Sequence, residues 1–372
     1  MRIFACSAAV MAVAVAWPLH AATFVVTSAT IVSAFAAASA GDTLRLVGTF
    51  NAIRLQDRAF TTVVTLDASR ALFRDTLTLR RVANVTVKGG RFDVTAGSAY
   101  NRAAGVYDSS HVAFIKPSVI GVGSQMGIGF QDTTAASVVN GRFDGLRAGI
   151  GFDRITGGLV TGNRITHAVA DGIDIGSSHN VTASYNSCAL GTPGPGVHPD
   201  CIQLWSTAGH PIQSDITVTH NTAVGPTQGF TSFASGGGGL RLTITNNTVT
   251  SSFPQGVACY DCIDSNISYN RLATLAGAAH VTNLNVIGGS GNTVVGNLIH
   301  ARPPAGTAAA ARFVAVADSG LAFGATAAGD TGAVPEPSTW AMLIAGFAAV
   351  GVARRRRQVR GVATGRAVSH LA

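Results

Sequence analysis

The sequence predicts an all-β solenoid, one elongated body built from short parallel rungs. Three observations carry this. Gly makes up 44 of 372 residues and charged residues only 12%. The helix builders Leu, Lys and Glu are scarce, which excludes an all-helical protein. Second, short aliphatic runs recur at steps of 22 to 29 residues: Gly127-Ile128-Gly129-Phe130, Gly149-Ile150-Gly151-Phe152, Gly172-Ile173-Asp174-Ile175, Cys201-Ile202-Gln203-Leu204, Gly229-Phe230-Thr231 and Gly256-Val257-Ala258. A repeat of this length signals stacked supersecondary units. Third, a second β-branched strand marks each coil, at Thr86-Val87, Val181-Thr182, Ile216-Thr217-Val218, Leu242-Thr243-Ile244, Ile267-Ser268 and Val294-Val295.

Runs this short cannot bury a face alone, so stacking them as parallel rungs is the economical solution, and the crossovers wind right-handed by default. A turn Asn recurs along the repeat, at Asn163, Asn186, Asn221, Asn247, Asn270 and Asn297. These and most glycines read as stacked turn residues that tolerate left-handed geometry. The Ala-rich segment 27–40 reads as a short N-terminal capping helix that shields the edge of the first rung.

Both ends are addresses. Residues 1–22 carry Arg2, an apolar run from Phe4 to Trp17, a Pro18 break and a small-residue stretch to Ala22. This is a secretory signal peptide, its apolar run shorter than the ~18 residues of a membrane span. Its removal takes Cys6 and leaves Cys188, Cys201, Cys259 and Cys262, an even number entering an oxidising compartment. The solenoid is expected over 23–300 and a Pro/Ala/Gly-rich linker over 301–333. Segment 334–358 follows, with Pro335-Glu336-Pro337, an apolar run from Trp340 to Ala353 expected to be a hydrophobic helix, and four arginines at 354–357; a basic tail occupies 359–372. The arginines should stay cytoplasmic with the body outside.

The tripartite order of segment 334–358 closely resembles the PEP-CTERM sorting tail of exported Gram-negative bacterial proteins. The resemblance implies recognition of Pro-Glu-Pro by an exosortase in the inner membrane, a membrane-anchored precursor and cleavage, with the body passing to the cell surface or beyond. Fifteen further residues after Arg357 are a departure, and an anchor that is never cut is the alternative.

The rung pattern over residues 42–300 resembles the right-handed parallel β-helix proteins of pectin-lyase-like architecture. Equivalent positions on successive rungs then lie about 4.8 Å apart. The position before the glycine column reads Met126, Ala148, Asp171, Asp200, Gln228 and Gln255, which makes Asp171 and Asp200 vertical neighbours. Asp174 and Gln203 face outward one above the other, with Gly129 and Gly151 beneath as a groove floor for a chain-like ligand. The loop 191–199 walls that groove, placing His198 on it, and Trp205 is the aromatic candidate for stacking on a sugar.

Asp171-Gly172-Ile173-Asp174 and His198-Pro199-Asp200-Cys201 resemble the polygalacturonase family over about sixty residues. The resemblance implies that Asp171 and Asp200 help to activate the hydrolytic water. Pro199, however, replaces the general acid, Gln228-Gly229-Phe230 stands where Gly-His-Gly would fall, and no Arg-Ile-Lys follows, which leaves His198 or Asp174 to supply the proton. Independently of the family, two stacked carboxylates repel and one must hold its proton more tightly, giving an acid and a base together, as glycoside hydrolysis requires. The same pair could bind Ca²⁺ with Asp174 and Gln203, or merely cap turns. A lyase would need a cation beside its base; Lys116 and Arg147 are the candidates.

Cys259-Tyr260-Asp261-Cys262 lacks the second pair that structural zinc needs, so a disulfide is expected there, with Cys188–Cys201 as the second bridge flanking the long loop. Most of the formal charge of +8 resides in the ends: between residues 22 and 333 there are 19 basic and 17 acidic side chains, with no basic patch for nucleic acid. The expected partner is a polysaccharide. The chain then either cleaves it, as glycosidase or lyase, or serves as a non-catalytic adhesive or structural β-helix of an extracellular polysaccharide matrix.

Overall fold

A computed structural model describes residues 21–300, apart from 195–196 and 234–237, together with the backbone of 313–315. The signal peptide but for its last two residues, most of the linker, the sorting segment with its hydrophobic helix, and the basic tail lie outside the described residues.

The chain forms a parallel β-helix of about 11 turns. Each full coil contributes three strands. The first sheet, which carries the candidate site, stacks Arg102–Tyr107, Met126–Gln131, Ala148–Asp153, Ile173–Gly176, Asp200–Trp205, Gln228–Ser232, Gln255–Tyr260 and Asn283–Ile287. All its neighbours run parallel, and the registers align Ile128 with Ile150, Ile173 with Ile202, and Ile202 with Phe230. The second sheet follows the β-branched column, pairing Thr182 with Thr217 and Thr217 with Thr243. A third sheet consists of short strands such as Arg142–Asp144, Arg164–Thr166 and Ser187–Ala189. Sequence reading expected two strands per coil; three-residue strands are too short to display an alternation.

Aliphatic side chains alternate into the coil: Ile128, Ile173, Ile202, Ile216, Ile244 and Ile267 are all fully buried. In the N-terminal half the interior is aromatic, with Phe50, Phe73, Phe92, Phe114, Phe130 and Phe152 stacked at ring separations of 4.4 to 6.3 Å. The helix Ile31–Ala37 buries Ile31 and Phe35, and Phe35 meets Phe60 edge-on at 5.6 Å. The buried Asp42 ties this cap down by accepting from Ala22 N and Ser39 N, each at 2.8 Å.

The six turn asparagines form a buried ladder. Asn221 Oδ1 accepts from Asn186 N at 2.9 Å and Asn186 Nδ2 at 3.0 Å, while its own Nδ2 donates to Ala183 O and to Asn247 Oδ1. Links of the same kind join Asn163 to Asn186 and Asn270 to Asn297. The left-handed residue is not the ladder Asn, as expected from sequence, but the one before it: Tyr185, His220, Asn246 and Tyr269 have φ of 54° to 57°. The Asn side chain is instead the hydrogen-bonding group that ties rung to rung at the corner.

Two disulfides join Cys188 to Cys201 and Cys259 to Cys262. The first holds both feet of loop 191–199. Replacing Asn221 by Ala leaves the buried Asn186 N and Ala183 O without their side-chain partner, while Asn247 Oδ1 keeps its bond from the backbone N–H at 221. Chemical denaturation should show a loss of about 3 kcal/mol, from two or more unsatisfied buried groups.

Candidate functional site

Asp171 and Asp200 begin successive rungs of the first sheet, and Gly172 N donates to Asp200 O at 2.8 Å, fixing the stack. Only glycine fits at 172, since a Cβ there would lie 2.6 Å from Cys201 O and 2.9 Å from Cys188 Sγ. The disulfide and the site therefore share one packing problem. Asp200 N donates to Asp171 Oδ1 at 2.9 Å. Asp174 stands one rung below Gln203 in register and hydrogen-bonds with Asp171. The three expected aspartates are thus brought together.

Their exposure differs. Asp200 is 0% and Asp171 6% exposed, whereas Asp174 is half-buried. Asp200 is held from several sides. Its Oδ1 accepts from Thr231 Oγ1 at 2.6 Å, its Oδ2 from Gln203 Nε2 at 3.4 Å, and His198 Nδ1 lies 3.5 Å from Oδ2. Trp205 Cζ2 and Cε2 would be only 2.5 and 2.6 Å from a Cβ on Gly176, so its indole covers that glycine beside the groove.

Removal from water pushes all three carboxyls up. Asp171 rises well above the usual carboxylate range through burial, then through the charges of Asp174 and Asp200, against a donation from Asp200 N and the more distant Arg147. Asp174 is pushed to about 7 by burial and by Asp200, opposed chiefly by Arg102. Asp200 is raised by burial, and His198 and Thr231 counter the rise. Asp171 and Asp174 therefore hold their protons well above the usual carboxylate range.

Arg102 escaped the sequence reading. It opens its strand in register with Met126 and Ala148, in the column that continues to Asp171 and Asp200. Its guanidinium lies against Gly129, occupying the floor expected to be open. The aligned Gly105, Gly129 and Gly151 were the available signal, because three stacked glycines leave room that a long neighbour can fill. Arg147 acts electrostatically on both Asp171 and Asp174 while stacking over Tyr100 at 5.2 Å. Lys116 lies at the corner after the second-sheet strand Ser110–Ile115, on another edge of the coil. A shallow depression of about 520 Å³, lined by Arg81, Asp108 and Asp132 among others, is at the corner that follows the first-sheet strands, away from the aspartates at their starts.

Stacked registers with a carboxyl-bearing groove on one face define a parallel β-helix protein of pectin-lyase-like architecture. The chain belongs to the family described as periplasmic copper-binding protein (NosD), which matches residues 116–311, and residues 333–357 match the PEP-CTERM protein-sorting motif. Among solved structures it is similar to an alginate lyase from Paenibacillus sp. str. FPU-7, at 16% identity and TM-score 0.53, covering 71% of this chain and 97% of that one. A polygalacturonase from Erwinia carotovora ssp. carotovora aligns at 15% identity and TM-score 0.37, covering 73% and 76%. Identities this low establish the fold alone. No curated protein sequence matches the chain.

The residues described do not fit the copper of the family's description. Copper takes imidazole and soft sulfur ligands. The four cysteines are joined in disulfides, and the histidines are scattered, His167 on Asp144, His179 on Ser214 and His220 stacked on Tyr185. Among the described residues no three His, Cys, Asp or Glu side chains are grouped to hold a metal ion, the trio at 171, 174 and 200 included, so Ca²⁺ finds no ready cage there either.

A carboxyl that binds its proton more tightly when folded favours the fold in acid, and that contribution is lost as pH rises from the usual Asp range through the folded value. For Asp174 the window runs from about 4 to about 7. Asp174→Asn should therefore raise Tm above the wild type at pH 8, by a difference on the order of a few kcal/mol, and change it little at pH 4. Thermal melts at the two pH values check this.

Proposed function

We propose that the chain is an exported polysaccharide-active β-helix protein that cleaves a glycan in the groove of Asp171, Asp174 and Asp200. The observation that supports this reading is three aspartates gathered out of water, two of them holding protons well above the usual carboxylate range, with Asp174 the one nearest solvent. Glycosidic cleavage needs one carboxyl that gives a proton and one carboxylate that takes one. Asp174, which meets the groove and ionises near 7, takes the proton of the attacking water. Asp171 holds its proton well above the usual carboxylate range and delivers it to the glycosidic oxygen. Asp200 is a positioning residue: its N–H holds Asp171, and its charge keeps protons on the other two. Trp205 offers a flat apolar face beside the groove on which a sugar ring can stack, Gln203 an amide, and His198 a polar edge on the loop.

A second reading is lyase chemistry, favoured by Arg102 and Arg147, which place guanidinium charge beside the base, as neutralisation of an acidic sugar would require. Incubating the protein with acidic and neutral polysaccharides while following both reducing ends and the ultraviolet absorbance of unsaturated products separates the two. Asp174→Asn and Asp171→Asn should each lower activity at least ~10²-fold with the fold intact. Because the base must be ionised, activity should rise through about pH 7. Binding without turnover would leave the adhesive matrix protein.

Export follows from the signal at 1–22 and the sorting motif. The tail acts as a transient inner-membrane anchor, cut by an exosortase-type enzyme before the body reaches the surface. Mass spectrometry of the exported protein should find a chain ending near Pro337; a mature product retaining Arg354 to Ala372 would refute the sorting role.

A further inference from the structure

Asp171 and Asp174, hydrogen-bonded to each other beside Asp200, leave open which of the two ionises first, and the column of glycines beneath Asp174 bears on that. Gly105, Gly129, Gly151 and Asp174 stand in one column, in successive registers. A Cβ on Gly129 would lie 2.1 Å from Arg102 Nη1, and one on Gly151 3.7 Å from the same atom. The Arg102 side chain therefore leaves its own column at the strand start, crosses into the glycine column and extends along the axis towards Asp174. A side chain at 129 would occupy the place of its guanidinium. The trough has the shape of an extended arginine.

The charged groups around Asp174 come from five segments. Asp171 stands in the preceding turn, Asp200 on the next rung, and His198 on the loop against Asp200. Arg102 and Arg147 approach from the rungs below, and Arg147 is drawn aside onto the Tyr100 ring. Arg154, at the end of the rung beneath, is bound to Asp132 at 2.7 Å and to Asp153 at 2.6 Å. Gln203, directly above, is neutral. Arg102 is thus the cation whose guanidinium reaches into Asp174's own column.

We propose that Arg102, laid in the Gly105–Gly129–Gly151 trough, is a positioning residue that selects Asp174 over Asp171 as the carboxyl that ionises beside Asp200 and leaves the remaining proton with Asp171. A cation close to one acid of a water-poor cluster favours the charged form of that acid over its neighbours. Consistently, Arg102 is the leading influence that opposes the rise of Asp174, whereas Asp171 has only the donation from Asp200 N and the more distant Arg147 against its rise. The assignment rests on the catalytic reading only for its effect on rate; the order of ionisation is a property of the protein without substrate.

The test is carboxyl titration by NMR of the full chain labelled with ¹³C at the aspartate side-chain carboxyls, with the Asp174 signal identified by its loss in Asp174→Asn. Arg102→Gln should raise the Asp174 midpoint by about half a pH unit or more, the scale of one nearby charge partly screened. Arg102→Lys, which keeps the charge, should restore much of the difference. Gly129→Ala retains the arginine but displaces its guanidinium, and should also raise the midpoint. Where turnover is measurable, the acid limb of kcat should move with the midpoint. An unchanged Asp174 midpoint in folded Arg102→Gln overturns the proposal; if that variant does not fold, an unchanged midpoint in Gly129→Ala does so. A midpoint that moves in a protein inert towards every polysaccharide leaves the role of Arg102 standing and removes the cleavage reading instead.

Discussion

Backbone hydrogen bonds running from each rung to the next govern this molecule, because they leave no freedom in the vertical register. Once Ile173 sits over Ile150 and under Ile202, every other side chain on those rungs has its neighbours assigned. The interior aliphatics, the phenylalanine stack and the asparagine ladder are three ways of satisfying that constraint with different chemistry. The ladder matters most at the corners, where the sheet hydrogen bonds lapse and buried polar groups still need partners. Its amides serve both sides, accepting from the rung below while donating to the rung above.

The same constraint forces the aspartates together. In a globular fold, three carboxyls converge only if several loops cooperate; in a solenoid, two neighbouring columns of the repeat suffice. Such a cluster opposes folding wherever the groups must ionise, so the surroundings have to compensate. Thr231, Gln203 and His198 support Asp200, and the N–H of Asp200 supports Asp171. The Cys188–Cys201 bridge packs against the glycine between them. A cluster kept in place by so many neighbours, and costly at neutral pH, is the kind of local conflict that function explains better than stability does.

Much of this was legible in the chain itself. The aligned glycine runs gave the rungs in their observed registers, and with them the contact of Asp171 with Asp200 and the column of Asp174 and Gln203. Other features were hidden for identifiable reasons. The third sheet has three-residue strands, too short for a period to emerge. The phenylalanine stack uses one residue per coil on strands that already read as apolar, so nothing in the pattern distinguished it. Arg102 lies about seventy residues before Asp171 and reaches its place by crossing columns, a displacement that alignment of equivalent positions cannot show. The difference in exposure between Asp174 and Asp200 depends on the loop and on Thr231, two rungs away from where the motif is read.

The bridge between Cys188 and Cys201 pins the chain where it leaves the helix and where it returns. Whatever lies between those two points can change in length or composition without shifting the pitch of the coil. A protein built this way can acquire a new wall for its groove by exchanging a single segment, while its scaffold and its buried acids stay as they are. Recognition and architecture are thereby inherited separately.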